Sequence, residues 1–317
     1  MRLMKIEAKN FGWGDLVGVG AAAILLACLP IRAVAQEKGQ KTFSSAEEAS
    51  QALVKAAQDN DEKTLIEIIG KSAKEIISSG DDKQDAQHRA HFVKRYEEMH
   101  RLVKEPDGTT TLYVGVDNWP TPMPIANKGN VWYFDGQAAK QAVLFRRIGK
   151  NEISTIRVCE QLAAAEKEYF AMQHAYAAKI ASDADQKNGL YWSGEPKSPI
   201  GPNIAAADTT GKNASATPFR GYYFRVLTDQ GKDAPGGAKS YMVDGKMTDG
   251  FAIEAYPVEY RSSGVMTFVV SSDGVVHEKD LGKKTATEAK AMKSFNPDSS
   301  WHQAEEQQEA TNAQTTK

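Results

Sequence analysis

Residues 250–282, GFAIEAYPVEYRSSGVMTFVVSSDGVVHEKDLG, leave the chain few folds to choose from. Phe251, Ile253 and Ala255 alternate with Ala252, Glu254 and Tyr256, the period of two of a half-buried strand. Residues 265–270 are apolar and β-branched almost throughout, which predicts a strand covered on both faces. Asp273-Gly274 supplies a tight hairpin turn, and Val275, Val276 and His277 open the return strand. Upstream, Tyr222, Phe224 and Val226 alternate with Tyr223, Arg225 and Leu227. Four strands in sequence order form an antiparallel meander, and one face of it needs a cover. Residues 151–180 predict that cover as a long helix. Ile156, Cys159, Leu162, Tyr169, Phe170, Ala177 and Ile180 share its broad apolar face, with Arg157, Glu160, Lys167, Glu168 and Lys179 opposite.

The first half has a different rhythm. Ser44-x-x-Glu47 and Ser45-x-x-Glu48 are overlapping capping boxes ahead of Ala49, Ala52, Leu53 and Ala56 at helical spacing. Leu65 to Ile69 and Ala73 to Ile77 predict short helices ended by Gly70 and Gly80, and residues 84–103 predict a longer one. Residues 110–116, 123–126 and 131–135 are expected strands, and 137–148 a linking helix. Helices followed by a small antiparallel sheet make this an α+β chain. The expected domains are 36–42 (a polar linker), 43–149 (helices on a small sheet), 150–300 (the long helix on the meander) and 301–317 (a disordered tail). Residues 185–220, rich in proline and glycine, connect the long helix to the meander.

Three resemblances follow from these segments. The element order of the first half, with Val131-Trp132-Tyr133-Phe134, resembles the cystatin-like or nuclear-transport-factor-like cone. Residues 151–281 resemble the soluble part of a type IV pilin-like module, although the helix is internal and has no long apolar anchor before it. The segments FSSAEEA (43–49), DNWP (117–120), RRIGKNE (146–152), GLYW (189–192), GYYFR (221–225) and SGVMTF (263–268) resemble a bacterial domain-of-unknown-function family, number 2950. That likeness implies an exported bacterial protein and no particular chemistry.

The start of the chain agrees with export. Arg2, Lys5 and Lys9 give a positive beginning, residues 16–31 are apolar, and Ala33-Val34-Ala35 offers a small-x-small cleavage site before Gln36. The apolar run is shorter than the roughly 20 residues a membrane span takes. Leu25-Leu26-Ala27-Cys28 is a competing lipoprotein site, with lipid on Cys28. Without residues 1–35 the chain loses four basic and two acidic residues from totals of 39 and 41, leaving a formal charge of −4. Such a surface offers no footprint for nucleic acid. Only Cys159 remains, so no internal disulfide can form and the packed core must supply the stability.

Candidate chemistry is sparse. Glu166 projects near the centre of the long helix's apolar face, where burial would raise its pKa towards general-acid use, or where it bonds a backbone group instead. Cys159 on the same face reads as a buried thiol. His88 and His91, three apart on a helix, are weak metal candidates without a third ligand. Trp119 between closely spaced prolines, and Tyr191-Trp192 at the head of the long connection, suit ligand or partner contact, or fold back onto their own sheets. No nucleophile elbow, phosphate loop or dinucleotide fingerprint occurs, and no cofactor is expected. The expectation is an exported, periplasmic or cell-surface protein without catalytic activity, binding an envelope protein or small ligand at a cleft between its modules. A periplasmic hydrolase using a buried carboxylate or a histidine, and a structural accessory of a cell-surface assembly, are the alternatives. N-terminal sequencing of the exported protein is expected to begin at Gln36; a start at a lipid-modified Cys28 would mean an anchored protein instead.

Overall fold

The computed structural model describes residues 36–78, 82–210 and 216–304. The export segment with Cys28 and Ala35, the helix stop at Gly80, and residues 305–317 of the expected tail therefore lie outside the described residues. The chain is α+β and divides into two units, one ending at Phe145 and the other beginning at Arg146.

In the first unit, α1 (Ala46–Gln58) starts at a reciprocal cap. The Glu48 N–H donates to Ser45 Oγ at 3.0 Å, while the Glu48 carboxylate accepts from the Ser44 N–H at 2.8 Å. Then come α2 (Glu62–Ile69), α3 (Lys74–Ile77) and α4 (Asp82–Glu98). The sheet is built from β1 (His100–Lys104), β2 (Thr110–Val114), β4 (Ile125–Lys128) and β5 (Val131–Phe134) in that order, with the two-residue β3 (Trp119–Pro120) also paired to β2. Leu53, Leu65, Ile68, Ile69, Phe92, Leu112, Ile125 and Phe134 form its core.

Two expectations fail here for physical reasons. The helix foreseen over 84–103 stops at Glu98, and His100–Lys104 is a strand. Pro106-Asp107-Gly108, with Gly108 at φ 87°, reverses the chain, so these residues gain a ladder partner in Thr110–Val114. The segment 36–42 is docked and does not behave as a linker. Gln40 is buried and donates to the carbonyls of Ile68 (3.0 Å), Ile69 (3.0 Å) and Phe134 (2.6 Å). Glu37 accepts from the Lys71 N–H at 2.8 Å, and Phe43 bridges to Trp132.

The expected linking helix and long helix are one, α5 (Gly136–Gln173). An uninterrupted backbone passes through Gly149, and the helix ends seven residues short of Ile180, after which His174 takes φ 55°. Residues from Arg146 onward belong to the second unit. There Ile156, Cys159, Leu162 and Tyr169 enter a core with Phe224, Ile253 and Phe268. The connection holds α6 (Pro202–Ala205). The main sheet has the order β15–β13–β12–β11–β6, comprising β6 (Tyr222–Leu227), β11 (Ala252–Pro257), β12 (Met266–Ser271), β13 (Val276–Asp280) and β15 (His302–Gln303). Every pairing in it is antiparallel. Short strands β7 (Asp229–Gln230), β8 (Lys239–Ser240) and β14 (Ser294–Phe295) form a second sheet, and β9 (Met242–Val243) pairs with β10 (Lys246–Met247) around Asp244-Gly245.

All six residues of β11 are buried because the sheet is covered twice. On the face away from α5, Arg225 and Glu254 are register partners, and Arg225 donates to the carbonyls of Ala289, Lys290 and Met292 at the end of α7 (Thr285–Ala291). Residues 302–304, expected to belong to a disordered tail, are instead ordered: His302–Gln303 pairs with β13 and Ala304 is fully buried. No helix of the described residues is long and apolar enough to cross a membrane. Leu162, fully buried, is the middle of the α5 contact. Leu162→Ala is expected to cost about 3 kcal/mol, read as a lowered midpoint in urea unfolding. A loss under about 1 kcal/mol would mean that this helix does not organise the second core.

Candidate functional site

The residues singled out in the sequence are divided between the two units: His88, His91 and Trp119 in the first, Cys159, Glu166, Tyr191 and Trp192 in the second. Glu166 is fully buried, and one carboxylate oxygen accepts from the Ala177 N–H at 2.8 Å, tying the chain that follows the helix back onto it. Its other oxygen has no partner among the described residues. Burial pushes its pKa from 4.5 up to about 8, with the Ala177 N–H pulling the other way. Cys159 is fully buried, and burial raises its thiol far out of the reactive range. Trp192 is buried and donates from Nε1 to the Pro196 carbonyl at 2.6 Å, its ring 6.4 Å from Tyr169. Tyr191 is half-buried, with its backbone bonded to Ile180 at 2.9 Å. Trp119 is half-buried in β3 and packs on the first core. His91 is exposed and His88 half-buried, and the described residues contain no group of three or more potential metal ligands around them.

Several polar groups that the sequence did not reveal have structural duties. Asp208 is buried and accepts from the N–H groups of Ile180 (3.0 Å), Ala181 (2.8 Å) and Thr210 (2.7 Å), which orders the long connection. Glu254 is fully buried, and its pKa is raised by burial although the Arg225 guanidinium opposes the shift. Glu152 accepts from the N–H groups of Val265 (2.7 Å) and Met266 (2.9 Å). An open groove of about 450 Å³ runs between α1 and α4, floored by Ala57, Ala90 and Val93 and rimmed by Lys94 and Glu97. Gln58 and Asn60 line it as well, and Gln58 donates to Glu97 at 3.1 Å.

The turn from β2 to β3 differs from all of these. Gly115 takes φ 76° and Asn118 φ 53°, and the Gly115 N–H donates to the carbonyls of Arg95 (3.0 Å) and Met99 (2.8 Å). The Arg95 guanidinium donates to the Val114 carbonyl at 3.2 Å and pairs with Asp117. Arg101 donates to Asn118 Oδ1 at 2.8 Å, with its guanidinium 4.7 Å from the centre of the Tyr113 ring. Two arginines thus hold a four-residue turn in one conformation. That turn presents Val116 with 76 % of its surface in water, beside Met99 at 36 %. His100 stacks on Tyr96 next to them, ring centres 3.7 Å apart. Arginine, methionine and tyrosine on a rigid, partly apolar surface have the composition of a protein interface. The sequence signal is Gly115-Val116-Asp117-Asn118, a turn with a valine inside it.

With the geometry in place, comparison with known proteins adds one result. The model of the family described as "Protein of unknown function (DUF2950)" matches residues 40–304, so the chain belongs to that family. Neither the curated proteins nor the solved structures gave a match. No comparison supports the likenesses to a cystatin-like cone or to a pilin-like module.

The buried carboxyls set a pH dependence. Glu166 is held neutral inside the fold, so the stability this provides is complete below about pH 4.5 and declines as pH rises through about pH 8. The limiting slope is about 1.4 kcal/mol per pH unit for one such group. Glu254 acts in the same direction. Urea midpoints taken at pH 5, 6.5 and 8 should fall more steeply for the native chain than for Glu166→Gln. Parallel curves would mean that Glu166 is ionised within the fold.

Proposed function

We propose that this member of the DUF2950 family is an exported, non-catalytic envelope protein that binds a protein partner through the Met99, Arg101, Tyr113 and Val116 face. The observation that carries the reading is the clamped turn. A valine with 76 % of its surface in water, held by Arg95 and Arg101, is preorganised for a contact, and little entropy is left to lose on docking. The positive start, apolar run and Ala33-Val34-Ala35 site support export. The hydrolase alternative is served less well by Glu166, which is sealed from solvent and already engaged by a backbone N–H. A structural accessory would need a broader apolar surface than the one around Met99 and Val116.

A photoreactive amino acid at position 99 of the exported chain is expected to crosslink one envelope protein. Val116→Asp should reduce that capture about tenfold, as for an interface anchor. Stability should change by no more than about 0.5 kcal/mol, since the side chain packs on little. Capture that ignores Val116→Asp would overturn the docking face. Turnover of an envelope substrate by the purified protein, abolished in Glu166→Gln, would replace binding with hydrolysis.

A further inference from the structure

The docking face ends in an open sheet edge. In the first sheet β1 is terminal, paired on one side with β2. The direction of its backbone groups follows from the bonds at its ends. The Met99 carbonyl accepts from the Gly115 N–H at 2.8 Å, and the Glu105 N–H donates to the Thr109 carbonyl at 2.8 Å, so odd-numbered residues face β2. On β2 the Leu112 carbonyl points away from β1, accepting from the Thr121 N–H at 2.8 Å, as this alternation requires. His100, Leu102 and Lys104 therefore turn their N–H and C=O groups outward, and no strand among the described residues pairs with them. Such an edge is a template for one more strand.

Charge selects the occupant. Three of the five residues of β1, His100, Arg101 and Lys104, are basic, and none is acidic. Glu105 lies beyond the strand, 3.4 Å from the Tyr113 hydroxyl that donates to it. A second copy of β1 paired antiparallel about Leu102 would set His100 against Lys104 and place no carboxylate opposite Arg101 or Lys104. His100 and Lys104 share one face of the strand and Arg101 lies on the other, so an extended segment with alternate carboxylates sets opposite charge against Lys104 or, shifted by one residue, against Arg101. Arg101 is already fixed over Tyr113, and the strand starts beside Met99, so edge and apolar knob are continuous.

We propose that β1 accepts an added strand from an acidic, extended segment of the partner protein, an inference that rests on the docking role assigned above to this face. Two capped hexapeptides, one alternating valine with glutamate and one alternating valine with lysine, probe it against the purified full chain. The acidic peptide is expected to slow amide exchange at His100, Leu102 and Lys104 and to bind at least about tenfold tighter than the basic one. Lys104→Pro removes an outward N–H at a position where an edge strand tolerates proline, and should weaken binding about tenfold, with the fold checked by its urea midpoint. Lys104→Gln removes only the charge and should cost about threefold or less. No protection at these amides, equal binding of both peptides, or Lys104→Pro binding as tightly as Lys104→Gln would overturn the added strand. Protection of the same amides without peptide, in a species of doubled mass, would replace the partner with a second copy. Envelope capture separates the two levels. Loss in Val116→Asp with retention in Lys104→Pro leaves the docking face standing without the strand, and retention in both removes the docking face itself.

Discussion

The second unit depends on one face of α5 being withdrawn from water by the sheet beneath it. Ile156, Leu162 and Tyr169 are buried there against Phe224, Ile253 and Phe268, each such side chain contributing about 1.5–3 kcal/mol. That contact covers one face of β11 and β12, and α7 and β14 occupy the opposite side, so both strands are largely buried on both faces. A sheet so covered has no solvent face to define its register. Polar contacts at its margins supply that definition instead.

The most ordered of these margins is the turn into β12. Arg147 donates to the Ser262 carbonyl at 3.0 Å and Asn151 to the Ser263 carbonyl at 2.8 Å, while Glu152 receives the N–H groups of Val265 and Met266. The Tyr222 hydroxyl donates to the Met266 carbonyl at 2.9 Å and leaves no space for a side chain at Gly264. RRIGKNE, GYYFR and SGVMTF, three of the segments on which the family likeness was founded, thus meet in one clasp between helix and strand. Their residue types are explained by the need to fix α5 on the sheet. A family signature of this kind identifies the fold while saying little about the activity.

This accounts for what could be read in advance. The meander was legible because strand alternation and the Asp-Gly turn are local signals, and the apolar face of α5 was legible from Ile156 to Tyr169. The end of that helix was not. Ala177 and Ile180 continue the helical spacing, yet the chain has already turned at His174, where Glu166 captures the Ala177 N–H from eleven residues earlier in the sequence. Likewise Leu102 and Val103 fit a helix phase, and only the pairing with Thr111 and Leu112 makes them a strand. Trp119 and Trp192 were expected on loops as rigid aromatics for ligand or partner contact, or folded back onto their own sheets; Trp192 is buried and Trp119 half-buried against the first core. Val116 was passed over because an isolated valine gives no signal until the arginines that pin its turn are seen together.

Burial and exposure are distributed here in opposite senses, and that contrast is the best guide to function. Glu166 and Glu254, whose protonation burial shifts most clearly towards neutrality, are closed off by helix, sheet and backbone. A general acid needs a path for its proton and room for a substrate, and both groups are fully buried. The turn at Gly115 has the reverse construction. Charged side chains stiffen it, and the apolar side chain of Val116 is left in water.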